Sequence, residues 1–361
     1  MPQDRLQDQS IRKEISVLLD KSFWQRNPYR SLYIPFIYAA LAINVYIVNQ
    51  AFAGKVNWVY CLISIFLTGN FASGGFFIMH ELLHGAILKK GFLKWWISLF
   101  GGAICLVTPH LWSRWHQWHH RHTSGPLDTE RMRHPDWDNL NSFNAKLKNF
   151  LIRFSYFRPI SFLFSFFVVM GYHFLMAIEA MIGIAPFKSN RLIILGEFAL
   201  SLLIFFSPWA FLSVNEIALG LIVPIAMANF ICSIYIITNH NDNPLTTENV
   251  TILNSTSVNF FIFKWSHFDF GRHVEHHLFP GIDHRKLRQV SAHLRELYPA
   301  DFCEKPFKNH IASIYSRPLS YFQPIVDTRK LLIIDFAEQR LLMQQQTYKN
   351  EELATFTQGS A

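Results

Sequence analysis

Residues 77–86 read FIMHELLHGA. His80 and His84 stand four apart, so on a helix both rings lie on one face. With Glu81 between them the letters fit H-E-x-x-H, in which two histidines hold zinc and the glutamate is the general base of a protease. The stretch also closes an apolar run, Trp58–Met79. Its surroundings decide which chemistry the box serves.

Those surroundings are apolar. Of 361 residues, 50% are hydrophobic, 35 are Phe and 16% are charged, against roughly 25% charged in soluble domains. Leu32–Phe52, Trp58–Met79, Leu192–Leu212 and Ile217–Thr238 are apolar runs, each near the roughly 20 residues that cross a bilayer. Phe92–Val107 is short for a span, and Ile160–Ile184 contains His173 and Glu179, which are costly at mid-bilayer. Lys89, Lys90 and Lys94 follow the second run, and Lys188 and Arg191 precede the third. Loop 53–57 carries only Lys55, and loop 213–216 has no Lys or Arg. The positive-inside rule then places both chain ends and the middle segment in the cytoplasm. A-F-A-G at 51–54 resembles a signal cleavage site, but the polar lead before it is long for a signal peptide, which favours an uncleaved first helix.

The expected fold is an all-α integral membrane protein, in the inner membrane if bacterial. It has four transmembrane helices, one or two re-entrant or interfacial helices, and a cytoplasmic His-rich helical cap. The cap combines two polar segments, Arg114–Arg158 and Asn239–Pro306. Residues 1–31 form an N-terminal cytoplasmic segment, 32–306 the membrane and metal domain, and 307–361 a C-terminal cytoplasmic extension with a loose tail. The net charge of +8 suits anionic headgroups and acidic partners. Lys and Arg are dispersed rather than gathered in one patch, so nucleic acid is not indicated. Cys61, Cys105, Cys232 and Cys303 form no C-x-x-C pair, which argues against a disulfide framework or a zinc ribbon.

The chain has 17 histidines. Beyond His80 and His84 lie HQWHH, with His116, His119 and His120, and HVEHH, with His273, His276 and His277. Each spacing collects its rings on one side of a helix. Eight imidazoles exceed the four positions of one tetrahedral zinc. They suit two metals of higher coordination number, and imidazole accepts Zn, Cu, Fe or Ni. Glu81, Glu275, Asp128, Asp136 and Asp269 lie near the boxes and are candidates to orient the rings through their second nitrogen. His110, His122, His134, His267 and His284 flank the boxes but stay outside the ligand set. His173 reads as a packing residue, and His293 and His310 as surface. Trp112, Trp115, Trp118 and Trp265 are candidates to line an acyl tunnel, or to sit at the membrane interface.

The boxes H-x3-H, H-x2-HH and H-x2-HH, in this order and separated by paired apolar runs, resemble the membrane fatty acid desaturases. The resemblance runs from about Leu32 to Pro299, and HVEHHLFPGI is especially similar to acyl-chain desaturases. It implies a non-haem di-iron centre that takes O2 as co-substrate and leaves a double bond in a lipid or fatty acyl chain. His240, in TNHND, stands where the family has a ninth ligand. Front-end desaturases begin the third box with Gln, whereas His273 stands here, and no HPGG-type haem motif occurs. The resemblance thus implies a separate electron donor, a ferredoxin or a cytochrome b5. Hydroxylases, ketolases and acetylenases share the same boxes and remain alternatives. An H-E-x-x-H intramembrane zinc protease is the remote one, because it leaves the other two boxes idle. A metal transporter would place its ligands inside the spans rather than at their ends.

Overall fold

The structure is a computed structural model, and it describes residues 2–123, 128, 130, 157–182, 190–240, 243, 251–260 and 264–316. Among these residues it is mainly helical. Helix α1 (Pro2–Ser16) is followed by short 3-10 turns and by α2 (Tyr33–Phe52), α3 (Trp58–His84), α4 (Phe92–Ala103) and α5 (Pro109–His122). Helices α6 (Arg158–Ile182), α7 (Arg191–Phe206) and α8 (Val214–His240) come next. After α9 (Thr251–Asn254), the short strand β1 (Ser257–Asn259) pairs in parallel with β2 (Glu304–Pro306). Between the strands lie α10 (His273–Leu278) and α11 (Leu287–Leu297), and α12 (Phe307–Ser316) follows. Among the described residues, this small strand pair departs from the all-helical expectation.

Among the described residues, four helical segments are long and apolar enough to cross a membrane: Pro28–Phe52, Trp58–His84, Arg191–Trp209 and Val214–His240. They correspond to the four expected runs. The second continues past Met79, so the first box is itself helical. Asn57 starts α3 by accepting the Val59 amide at 2.9 Å, an N-cap. Gly85, with φ 79°, stops it directly after His84. That left-handed position favours glycine.

The short run at 92–107 becomes half of a bent pair. Helices α4 and α5 meet at 84°, as a broken span or a re-entrant turn would. Leu106 takes φ 54° at the bend, and Thr108 and Pro109 restart the helix. Glu197, on α7, accepts from Trp95 Nε1 at 2.6 Å and from the His110 amide at 3.0 Å, fastening both arms. Helix α8 contains a π turn at Ala218–Ile222. Asn44 Nδ2 from α2 donates to the Gly220 carbonyl there at 2.8 Å, tying the π turn to α2.

The main core joins Ile37, Phe77, Met79, Trp112, Tyr235 and Phe270, from α2, α3, α5, α8 and the loop before α10. That loop crosses α3 at Gly74, where a Cβ would stand 2.6 Å from the Ser266 carbonyl oxygen. Phe268 and Asp269 take φ 56° and 61° in the same loop, positions that cost non-glycine residues about 1–3 kcal/mol each. Arg30, 4.6 Å over the Phe268 ring, and Arg288, 2.6 Å from Asp269 Oδ2, hold them. A second core packs Ile11, Ile15 and Phe23 against Val274, Leu278 and Leu287. The N-terminal segment thus lies directly on the third box.

Candidate metal centre

The helices bring the nine expected histidines together in two groups. His80, His84, His116, His120 and His276 form one, and His119, His240, His273 and His277 the other. Within each group the offered donor atoms all lie within 4.8 Å of one another. The box spacing explains the division. In each H-x2-HH box the outer pair is four apart and stays together, while the inner histidine turns to the other group. The second box therefore gives its outer pair to the five-histidine group and His119 to the four-histidine group. The third box does the reverse, keeping His273 and His277 with His119 and sending His276 across. His80 and His84 complete one group, and His240 alone, at the end of α8, completes the other.

Facing nitrogens are close. Nε2 atoms are 2.7 Å apart for His80 and His116, 3.0 Å for His116 and His120, and 3.2 Å for His120 and His276. They are 2.7 Å apart for His240 and His273, 3.0 Å for His273 and His277, and 3.3 Å for His119 and His277. Two donors about 2.1 Å from one ion, at right angles, stand about 3.0 Å apart.

Hydrogen bonds assign the protons for one of these pairs. Asp128 Oδ1 lies 2.7 Å from His119 Nδ1; a carboxylate only accepts, so Nδ1 carries the proton and, in the neutral ring that a metal ligand must be, Nε2 carries a lone pair. Thr123 Oγ1 donates to the His119 carbonyl at 2.9 Å, so it accepts from His277 Nδ1 at 3.2 Å. His277 Nε2 therefore also carries a lone pair. Two lone pairs face each other across 3.3 Å inside the protein, an arrangement that a cation between them resolves. His84 Nε2 is buried with no hydrogen-bond partner among the described residues, and a buried polar atom needs one. Burial, with further lowering by neighbouring imidazoles, holds His273, His276 and His277 well below the usual histidine range. They stay neutral, as ligands must be. The donor set fits metal ions, two in number.

The surround is aromatic. The Trp112 ring stacks on His116 at 5.0 Å and 13°, and Phe270 meets His80 at 4.9 Å. Trp115 and Trp118 are buried, whereas Trp265 is 61% exposed.

The acids divide differently from expectation. Asp128 meets His119 as described. Glu81 instead accepts from both terminal nitrogens of Arg30 and lies 3.1 Å from His284 Nδ1. Glu275 accepts from Ser257 and Ser291, tying α10 to β1 and α11. Burial raises its carboxyl despite those bonds. Asp269 pairs with Arg288 and Lys264. Asp136 and His134 lie outside the described residues, as does the side chain of His173. His310, expected at the surface, is fully buried on α12. His267 is held by Asn70, Ser73 and Tyr235, with Nδ1 2.9 Å from the tyrosine oxygen.

Several participants escaped the sequence reading. Glu130 Oε1 lies 2.5 Å from His116 Nδ1, and burial, with Asp128 nearby, pushes its carboxyl up to about 7. The spacing of two acids in LDTE, just after the second box, was the available signal. Arg30 ion-pairs with Asp283 as well as Glu81. It sits in a segment that composition marks only as a polar lead.

Residues 56–303 match the fatty acid desaturase family, and the chain belongs to it. No curated protein matches the chain. The family points to an oxidoreductase, and the two histidine groups are compatible with a di-iron oxygenase.

Proposed function

We propose that the protein is a membrane-bound fatty acyl desaturase with a di-iron centre. The facing lone pairs of His119 and His277 carry the reading, because they need a cation where the family's chemistry needs a metal. His80, His84, His116, His120 and His276 hold one iron, and His119, His240, His273 and His277 the other. Bound there, the pair supplies the redox chemistry that activates O2 toward an unactivated C–H bond, which no side chain offers and redox-inert zinc cannot.

The chain's own residues do the rest. Asp128 and Thr123 fix the tautomers of His119 and His277. Trp112, Phe77 and Phe270 keep water from the five-histidine side, where Phe77 and Phe270 stack at 4.2 Å. The first box ends an apolar helix, so an acyl tail can approach it from lipid. Two hydrogens leave adjacent methylenes. With two electrons and two protons supplied from outside, O2 leaves as two waters. The electrons come from a separate acidic donor of the ferredoxin or cytochrome b5 kind, which a net charge of +8 favours. Both termini face the cytoplasm, as Lys89, Lys90 and Lys94 beyond α3 favour.

Elemental analysis of the detergent-purified protein tests the metal. About two irons per chain are expected, with loss in His276→Ala. One zinc per chain, indifferent to His276, would return H-E-x-x-H to its protease meaning. Lipid analysis of cells expressing the protein tests the reaction. New double bonds are expected, and hydroxylated chains in their place would assign the hydroxylase outcome.

A further inference from the structure

Helix α5 is the place where the two groups are joined. It sends His116 and His120 to one and His119 to the other. The two acids beyond it, Asp128 and Glu130, are each 3% exposed. Asp128 Oδ1 meets His119 Nδ1 at 2.7 Å and also accepts the Glu130 amide at 2.9 Å. That second bond aims the glutamate at both groups. Its Oε1 is 2.5 Å from His116 Nδ1, and its Oε2 is 3.7 Å from His119 Nε2, the nitrogen that faces His277. Asp128 thus meets a ring of one group, whereas Glu130 meets His116 and sets its second oxygen near His119 of the other.

We propose that Glu130 is a positioning residue shared by the two metal groups, whereas Asp128 serves the four-histidine group alone. This rests on the two-metal reading above. A carboxylate on Nδ1 fixes the ring and raises the basicity of Nε2, and its loss typically weakens metal binding by about 10–100-fold. The second oxygen sets the same carboxyl beside a donor of the other group, where a bound cation favours its charged form and attracts it strongly.

The test uses full-length protein in detergent, ferrous iron alone as the probe, and competition with a colorimetric chelator under anaerobic conditions. His240→Ala leaves the five-histidine group as the intact site, and His84→Ala leaves the four-histidine group. In the His84→Ala protein, both Asp128→Asn and Glu130→Gln are expected to weaken iron binding by about 10-fold or more. In the His240→Ala protein, Glu130→Gln is expected to do the same and Asp128→Asn to leave binding within about twofold. Glu130→Gln is isosteric and keeps an acceptor for His116, so the thermal midpoint of the metal-free protein should match that of its parent. A Glu130→Gln effect in one background only, or in neither, overturns the shared role. So does an equal loss in both accompanied by a fallen metal-free midpoint, which marks a packing role. Parent protein that never holds two irons fails the two-metal reading instead, and that result is visible before either acid is changed.

Discussion

His284 Nδ1 lies 3.1 Å from Glu81 Oε1, so the glutamate of H-E-x-x-H is held by a histidine from beyond the third box. Arg30 grips the same carboxylate and also pairs with Asp283. The residue that would serve a zinc protease as general base is here the centre of a buried ion network. It joins the entry to α2, the first box and the segment after α10.

Removing one partner should show this. Arg30 is 6% exposed and Glu81 is fully buried. Arg30→Met leaves the carboxylate without its cation, and breaking a buried pair in this way costs about 3–5 kcal/mol. The double variant with Glu81→Leu should recover much of that loss. Denaturant titration of the metal-free protein in detergent measures both, and a double variant no better than the single would contradict the pairing.

His284 itself separates contact from ligation. Its ring stacks on His276 at 4.7 Å and 16°, yet it belongs to neither donor group. His284→Ala should retain both irons under gentle purification, whereas His84→Ala should lose one. Metal content of the two variants side by side decides this, and iron loss in His284→Ala equal to that in His84→Ala would make His284 a tenth ligand.

Stability should fall in acid partly through His267. Burial lowers its ring to about 4, against an ordinary value of 6.5. The unfolded chain therefore binds the extra proton first, and stability is lost as pH drops from about 6.5 toward about 4, then levels. The difference is worth about 3 kcal/mol. His267→Gln should flatten that part of the pH–stability curve relative to wild type, measured without metal. An unchanged slope would mean the ring is charged in the fold.

Glu197 should govern the bend between α4 and α5. Glu197→Ala strands the Trp95 indole and the His110 amide, at about 1–3 kcal/mol each, while Glu197→Gln retains an acceptor. Limited proteolysis at residues 104–108 should accelerate in the alanine variant and much less in the glutamine one. Equal cleavage of the two would show that the contact does not hold the bend.

Much of this was legible in the sequence because period and spacing carry it. The four apolar runs are helices, and the box spacings gather His80 with His84 and His116 with His120, as turns of a helix require. What spacing cannot carry is the partner across the fold. Glu81 and Glu275 sit inside boxes, yet each spends its oxygens on residues remote in sequence, Arg30 for one and Ser257 for the other. Glu130 lies near a box as well, but its importance comes from where it sits, against His116 and near His119. The inner histidines' crossing to the opposite group is likewise a matter of how α5 and α10 face each other, which no single helix encodes.

The packing of α1 sets a schedule for biogenesis. Arg12 donates to the His277 carbonyl at 3.2 Å across a separation of 265 residues. At about 5–20 residues per second, a ribosome needs roughly 13–53 s to make that interval. Throughout it, Ile11 and Ile15 have no Val274 or Leu287 to cover them. The imidazoles through His240 meanwhile wait for His273, His276 and His277. Completion of both histidine groups thereby waits for the third box. A chain stalled short of the third box would present a sticky helix and half-built chelation sites together, a combination for cellular quality control to recognise.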